Sequence, residues 1–413
     1  MWGHVASAIL RPGALLETCR NKQAGRKLAV PQDPESVAAW RPVKYAGANR
    51  RRGKHLHLDD AAHTLRVAMN LFRNSESSPH LDHLDPPAAL PGGAIDVHGA
   101  HLSPTGSHLP HATIGDTFAP VILSRASRAT VQVAEGSISG DLIIHRNGET
   151  SNPIHVRVAV PMAENLHPVA NPVVDANGQV FTTLSGSRGQ AMPVSIFRIQ
   201  RDFQMMPFVR DLMNPSGLAF GRDGYLYVSS RAEGTVYRVS PEGTISTYAE
   251  GMGVATGIAF DRDDNLYVGD RSGTIFKINP DREIFVFATL EPSVAAYHLA
   301  FTAAGILLVT GPTTSSNQAI HAINPDGDIS VFFQGLGRAQ GMAFDVDDNL
   351  YVVASYRGQR GVFRITPSKE VSFAISGNNL VGLTFVEDGC AVLATRDALY
   401  HVALDIEGRS LID

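Results

Sequence analysis

Three arginines, Arg231, Arg271 and Arg396, each stand eleven residues after a large apolar residue that ends a short strand-like phrase. Arg188 and Arg357 fall near the same offset in two further copies of that phrase. A guanidinium is planar and permanently charged, and its fork meets two oxygens of a carboxylate or phosphate together. Several on one rim would form a receptor for a small anion. Glu233, Asp270 and Asp397 stand close by in sequence and offer the arginines local partners instead. Polar residues also lead into the phrases: Asn171, Asn214, Thr256, Tyr297, His298 and Gln340. His298 occupies the place that Gly217, Gly257, Gly341 and Gly382 hold in other copies. A large side chain there either fills the interior or meets a ligand. For catalysis, His298 and Asp270 are the weak candidates, and no partner that would make His298 a general acid–base is visible in the sequence.

The phrase is a repeat. It reads HPVANPVVDANGQVFTT from His167, NPSGLAFGRDGYLYVSS from Asn214 and VATGIAFDRDDNLYVGD from Val254. It continues as AAYHLAFTAAGILLVTG from Ala295, RAQGMAFDVDDNLYVVA from Arg338 and NNLVGLTFVEDGCAVLA from Asn378. The residue ending the first strand is Val174, Phe220, Phe260, Phe301, Phe344 and Phe385, at intervals of 40 to 46 residues. Each copy parses into four short strands. In the second copy these are Gly217–Phe220, a turn at Arg222-Asp223-Gly224, Tyr225–Ser229, Val236–Val239 and Thr244–Ala249. One such sheet cannot bury both faces; six set radially bury each face against a neighbour. The expectation is a six-bladed β-propeller over 161–413. Ring closure is open at this point. Either the tail around Arg409–Ile412 forms a stunted last strand, or residues just before His167 complete the sheet, and either would protect an exposed strand edge.

Upstream, residues 79–160 read as strands with turns between them, a small β-sandwich. Alternation marks Ala94–Gly99, Ala129–Val133, Asp141–His145 and Ile154–Val158, and Asn147-Gly148 is a hairpin turn signal. Residues 1–78 show no steady period beyond one amphipathic stretch at Ala61–Phe72 and read as a poorly structured extension.

The stretches Pro91–Pro104, Ala112–Ile122 and Ser151–Val160 resemble the IPT/TIG family of immunoglobulin-like domains. That resemblance implies a β-sandwich that binds, spaces or packs. The phrases GIAFDRDDNLYVGDRSGTIFKINPD and GMAFDVDDNLYVVAS resemble NHL repeats and the wider group containing the senescence-marker-protein/gluconolactonase family. For its lactonases, that family implies a divalent cation in the channel, held by a Glu at the first inner strand and by later Asn and Asp residues. Where the family has Glu-Gly-Pro, this chain has Ala170-Asn171-Pro172. Asp270 is the single match to the later Asp; the equivalent places elsewhere hold Ser230, Gly311, Ala354 and Thr395, poor ligands for a hard cation.

Bulk properties narrow the classes. The chain has 413 residues, 44% hydrophobic and 18% charged, with net charge −5. Nothing global calls for nucleic acid or a membrane. Residues 1–78 carry 13 Lys+Arg against 6 Asp+Glu, so +7, and the rest balances at −12. The two cysteines, Cys19 and Cys390, exclude a disulfide framework. His55, His57, His80 and His83 lie in strings without a scaffold and read as solvated surface. No apolar run reaches the ~18 residues that span a bilayer, and no signal peptide stands at the start, so the cytoplasm is expected. The reading is an all-β chain whose propeller recognises a protein or a small anionic ligand at its channel mouth. The alternative is a gluconolactonase-like, metal-dependent lactone hydrolase.

Overall fold

The computed structural model describes residues 78–413, apart from 105–107, 187–189, 316–317 and 410–413. The extension before Ser78, with the Ala61–Phe72 stretch, His55, His57 and Cys19, lies outside the described residues, as does Arg188. Among the described residues every helix or strand element is a strand.

Among the described residues the repeat region builds six sets of four antiparallel strands, or blades, five of them separate sheets and the fifth in chain order one end of a longer sheet. Blade two shows the plan: Pro215–Phe220, Leu226–Ser230, Thr235–Val239 and Ile245–Ala249 pair in chain order. Gly224 takes φ +75° in the turn after the first strand, a conformation that costs glycine little. The first strands of successive blades touch one another, and that of blade six returns to blade one, so the ring closes. This arrangement is a β-propeller.

Aromatic packing explains why the same words recur. The ring on the second strand of one blade meets, edge to face, the Phe that ends the first strand of the next. Phe181 meets Phe220 at 5.2 Å, Tyr227 meets Phe260 at 4.8 Å, and Tyr267 meets Phe301 at 5.1 Å. Tyr351 meets Phe385 at 5.1 Å. Such pairs add about 0.5–1.5 kcal/mol each beyond the area they bury. The buried tyrosine hydroxyls are satisfied: Tyr227 bonds Asp223 at 2.9 Å and Tyr267 bonds Asp261 at 3.1 Å. Blade four carries Leu308 instead, and Phe344 packs with it in one apolar cluster.

The open question of closure resolves in favour of the upstream residues. Val160–Glu164 pairs antiparallel with Ala398–Ala403 as the outer strand of blade six. The chain as described up to Arg409 runs elsewhere. Gly408 bridges to Asp345, and the Arg409 amide donates to the Phe344 carbonyl at 2.9 Å.

Before the closing strand, two sheets face each other across a core that includes Ile95, Val97, Ile114, Leu142, Ile144 and Val156. One holds His80–Asp85, Ala94–Ala100, Arg128–Gln132 and Val121–Arg125. The stretch read as a solvated His string is thus partly a strand: Leu81 is buried, His80 is exposed, and His83 stacks on His98 at 4.5 Å. The other sheet is continuous with blade five. Ala88–Ala89 lies between Ile375–Ser376 of that blade and Arg157–Val158 of the sandwich, parallel to both. Ala88, Leu90 and Ala159 share an apolar cluster with Ile375, Leu380 and Leu383. The junction is therefore a shared sheet with its own core, and the closing strand follows the sandwich's last strand almost directly.

Candidate functional site

The channel runs between the first strands, and its neck is set by the residues that begin them. A Cβ on Gly257 would press on the Tyr297 carbonyl oxygen, and one on Gly341 would press on the Asn171 side chain and the Gly382 backbone. Only glycine lets adjacent first strands approach this closely. Most of the polar residues expected around the opening serve here as pins between blades. Thr256 Oγ1 accepts from the Tyr297 amide at 3.1 Å and donates to the Gly269 carbonyl at 2.8 Å. Gln340 Nε2 donates to the Leu380 carbonyl at 3.2 Å, and Thr310 Oγ1 donates to the Gln340 carbonyl at 2.6 Å. Asn171 Nδ2 donates to the Met342 carbonyl at 2.7 Å while its Oδ1 accepts from the Leu383 amide at 3.2 Å. Asn214 is buried and bonds the Gly186 carbonyl at 3.1 Å. Tyr297 is buried, and its hydroxyl bonds the Glu291 carbonyl. Burial, then Glu291 and Asp270, raises that phenol to about 12.

Beyond the neck at one end lies the positive cluster. Arg231 and Arg271 hold the same place in blades two and three, their amides donating to the Asn214 and Val254 carbonyls. The half-buried Arg231 guanidinium donates to Ser185 Oγ at 2.9 Å and to the Gly186 carbonyl at 3.1 Å. Burial, then its neighbour Arg271, lowers its pKa from the ordinary value. Arg271 donates to the Val294 carbonyl at 3.1 Å. Arg396 is exposed and forms no hydrogen bond or ion pair with a described residue. The nearby carboxylates are engaged otherwise. Glu233 accepts from the Tyr237 hydroxyl at 2.8 Å, Asp397 accepts from Thr395 Oγ1 at 3.0 Å, and Asp270 accepts from the Val254 amide at 2.8 Å and from Ser272. Arg357 points its charge over Tyr356, 5.0 Å from the ring centroid.

His167, which sequence reasoning did not single out, joins this cluster. Its carbonyl accepts from the Ser185 amide at 3.3 Å. Burial, then Arg231 and Arg396, lowers its imidazole from the ordinary value. Its place at the seam between the closing strand and blade one gave no signal in the repeat, because the repeat does not show which chain end closes the ring.

At the other end the channel widens into a cavity of about 1200 Å³ whose lining includes Asn171 and His298 but none of Arg231, Arg271 or Arg396. Its mouth lies among the turns that follow the first strands, with Glu407–Arg409 along the rim. The Arg409 guanidinium bonds Asp348 and the Phe301 carbonyl and sits 4.3 Å from the Phe344 ring centroid. His298 is 3% exposed, and burial pushes its imidazole down to about 4.

The donors present do not fit the divalent cation that the gluconolactonase resemblance implies. The carboxylate position is Ala170, the Asn171 amide is spent on two blades' backbones, and Asp270 is spent on its own loop. Among the described residues no group of three His, Cys, Asp or Glu is placed to hold a metal.

No family model matches the chain, and no curated protein matches it. Among solved structures, one described as a candidate gluconolactonase aligns with TM-score 0.52 and 16% identity, over 62% of this chain and 94% of its own. An auxiliary nutrient binding protein from Bacteroides thetaiotaomicron aligns at 0.48 with 10% identity, over 79% and 98%. A streptogramin B lyase aligns at 0.44 with 12% identity, over 78% and 94%. At such identity the first likeness speaks for the fold alone, and the class it supports is the β-propeller already read from the sheets.

Proposed function

We propose that this chain is a binding module whose propeller takes a small anionic ligand at the arginine end of the channel, with a sandwich of the IPT/TIG kind as its mount. On this reading the ring is a six-bladed propeller of the NHL and gluconolactonase-like group, used for recognition. The observation that carries the proposal is the Arg231, Arg271 and His167 arrangement. Arg231 lies half-buried beside Arg271, burial first and that neighbouring charge second lowering its pKa, and its guanidinium has no hydrogen bond or ion pair to a carboxylate among the described residues. Holding cations together costs Coulomb energy that a bound carboxylate or phosphate would recover, and a half-buried guanidinium feels that anion more strongly than one in bulk water.

A thermal-shift panel on the full chain tests this. Citrate, malonate and inorganic phosphate are compared with Ca²⁺, Mn²⁺ and Zn²⁺, each with and without EDTA, because a ligand that binds only the folded state raises the midpoint. The expected result is a rise with one or more anions. A rise with a cation alone, reversed by EDTA, would favour the lactone hydrolase reading in spite of Ala170.

A further inference from the structure

The cavity beyond the neck is a second site, distinct from the arginine end, and its chemistry is different. Its walls below the neck come from Val173, Ala219, Ala259, Ala300, Ala343 and Thr384, one small residue from each blade. The charged lining residues, such as Arg222, Asp263, Glu387 and Arg409, stand at and after the turns of the mouth, with Lys277 on a third strand. At the inner end is His298. It is 97% buried (3% exposed), it lines the cavity, and its side chain forms no hydrogen bond with any described residue. A buried polar group ordinarily has a partner. Here the repeat supplies none, because the residues around the neck are glycines or are already engaged with backbone, as Asn171 is.

We propose that this cavity binds a slender uncharged molecule carrying a hydroxyl group, apolar along its length, with the hydroxyl placed against His298. A neutral imidazole has one N–H donor and one bare nitrogen acceptor, so a hydroxyl can serve either. A carboxylate or ammonium group placed against His298 would lose its water among small, uncharged side chains without a counter-charge beside it. Apolar length against apolar wall supplies binding, and the one polar contact supplies orientation.

The test uses three probes of nearly one shape: benzyl alcohol, toluene and benzoate. Each is titrated into the full chain, followed by the imaginable local reporter, the ¹H–¹³C resonances of the histidine imidazoles, with His298→Phe used to assign the His298 signal. The expected result is saturable displacement of that signal by benzyl alcohol. Toluene should bind about tenfold more weakly, about the worth of one hydrogen bond, and benzoate should leave the His298 signal unmoved. Benzyl alcohol should bind an Arg231→Ala/Arg271→Ala variant unchanged, which separates this site from the anion site. If His298→Phe does not fold, Ala259→Leu narrows the tube while keeping the imidazole, and it should weaken benzyl alcohol at least tenfold. Equal binding of alcohol and toluene, or no displacement of the His298 signal, would overturn the proposal.

Discussion

At one end of the channel, Arg231, Arg271 and Arg396 bring positive charge to an imidazole, His167, that burial and the arginines hold toward its neutral form; at the other, small walls, apolar except for Thr384, lead to the buried imidazole of His298. Both ends grow from one repeat. The difference lies in which repeat positions are free to vary. The neck between them is fixed by close backbone approach and by pins such as Thr256 to Tyr297 and Asn171 to Met342. Loops leaving the second strands are under no such restraint, and there the arginines stand. The cavity walls must stay small to leave an open tube, so the larger polar side chains at its inner end come from the two copies that depart from glycine, Asn171, which is spent on neighbouring backbone, and His298.

The largest effect should come from closing the gap that the neck glycines keep. Gly257→Val puts a branched side chain against the Tyr297 carbonyl and the next first strand. We expect a loss of about 4 kcal/mol or more, the range reached by overpacking combined with backbone displacement. Urea denaturation of variant and wild type measures it. A loss below about 1 kcal/mol would mean that the neck is not the rigid divider between the two ends.

A smaller effect is set by pH. In the unfolded chain His298 titrates near its ordinary value, whereas in the folded chain burial holds it at about 4. Well above pH 6.5 neither state binds the proton, so His298 adds no pH dependence there. As pH falls toward 4, only the unfolded chain takes it up, and the fold loses stability. The total is roughly 3 kcal/mol, and the loss levels off below pH 4. His298→Phe should remove that part of the slope in denaturation curves taken at pH 7 and pH 4.5. An unchanged slope would place the imidazole in contact with solvent.

The smallest effect concerns the rim of the apolar end. Arg409→Ala removes the contacts to Asp348 and the Phe301 carbonyl. As Arg409 is only partly buried, we expect a change in stability of no more than about 1 kcal/mol. Benzyl alcohol should then exchange faster with the cavity. A larger loss would make the tail part of the propeller's core and not a feature of its mouth.

Much of the fold was legible because its determinants are local. The aligned residues from Val174 to Phe385 all lie in first strands, and the sandwich strands at Ala94–Gly99, Asp141–His145 and Ile154–Val158 are found with shifts of a residue or two. What failed to show was long-range. Ala88–Ala89 is two residues long and joins blade five only through parallel partners far along the chain, which leaves no period to read. Closure by Val160–Glu164 was one of two open possibilities for the same reason. Within the site, residue type revealed polarity but not its use. Thr256, Gln340 and Asn171 have polar side chains, as ligand-reading residues do, and here they hold blades together. His298 was visible as a break in the glycine pattern, yet the cavity it meets depends on small residues contributed by all the blades.

The central claim, that the arginine end receives an anion, is tested most directly by calorimetric titration of citrate and inorganic phosphate into wild type and Arg231→Ala/Arg271→Ala. The account predicts binding to wild type that weakens with added salt and falls at least tenfold in the variant, with folding stability nearly unchanged. Equal affinity in the two proteins, or no binding of either anion to wild type, would contradict it.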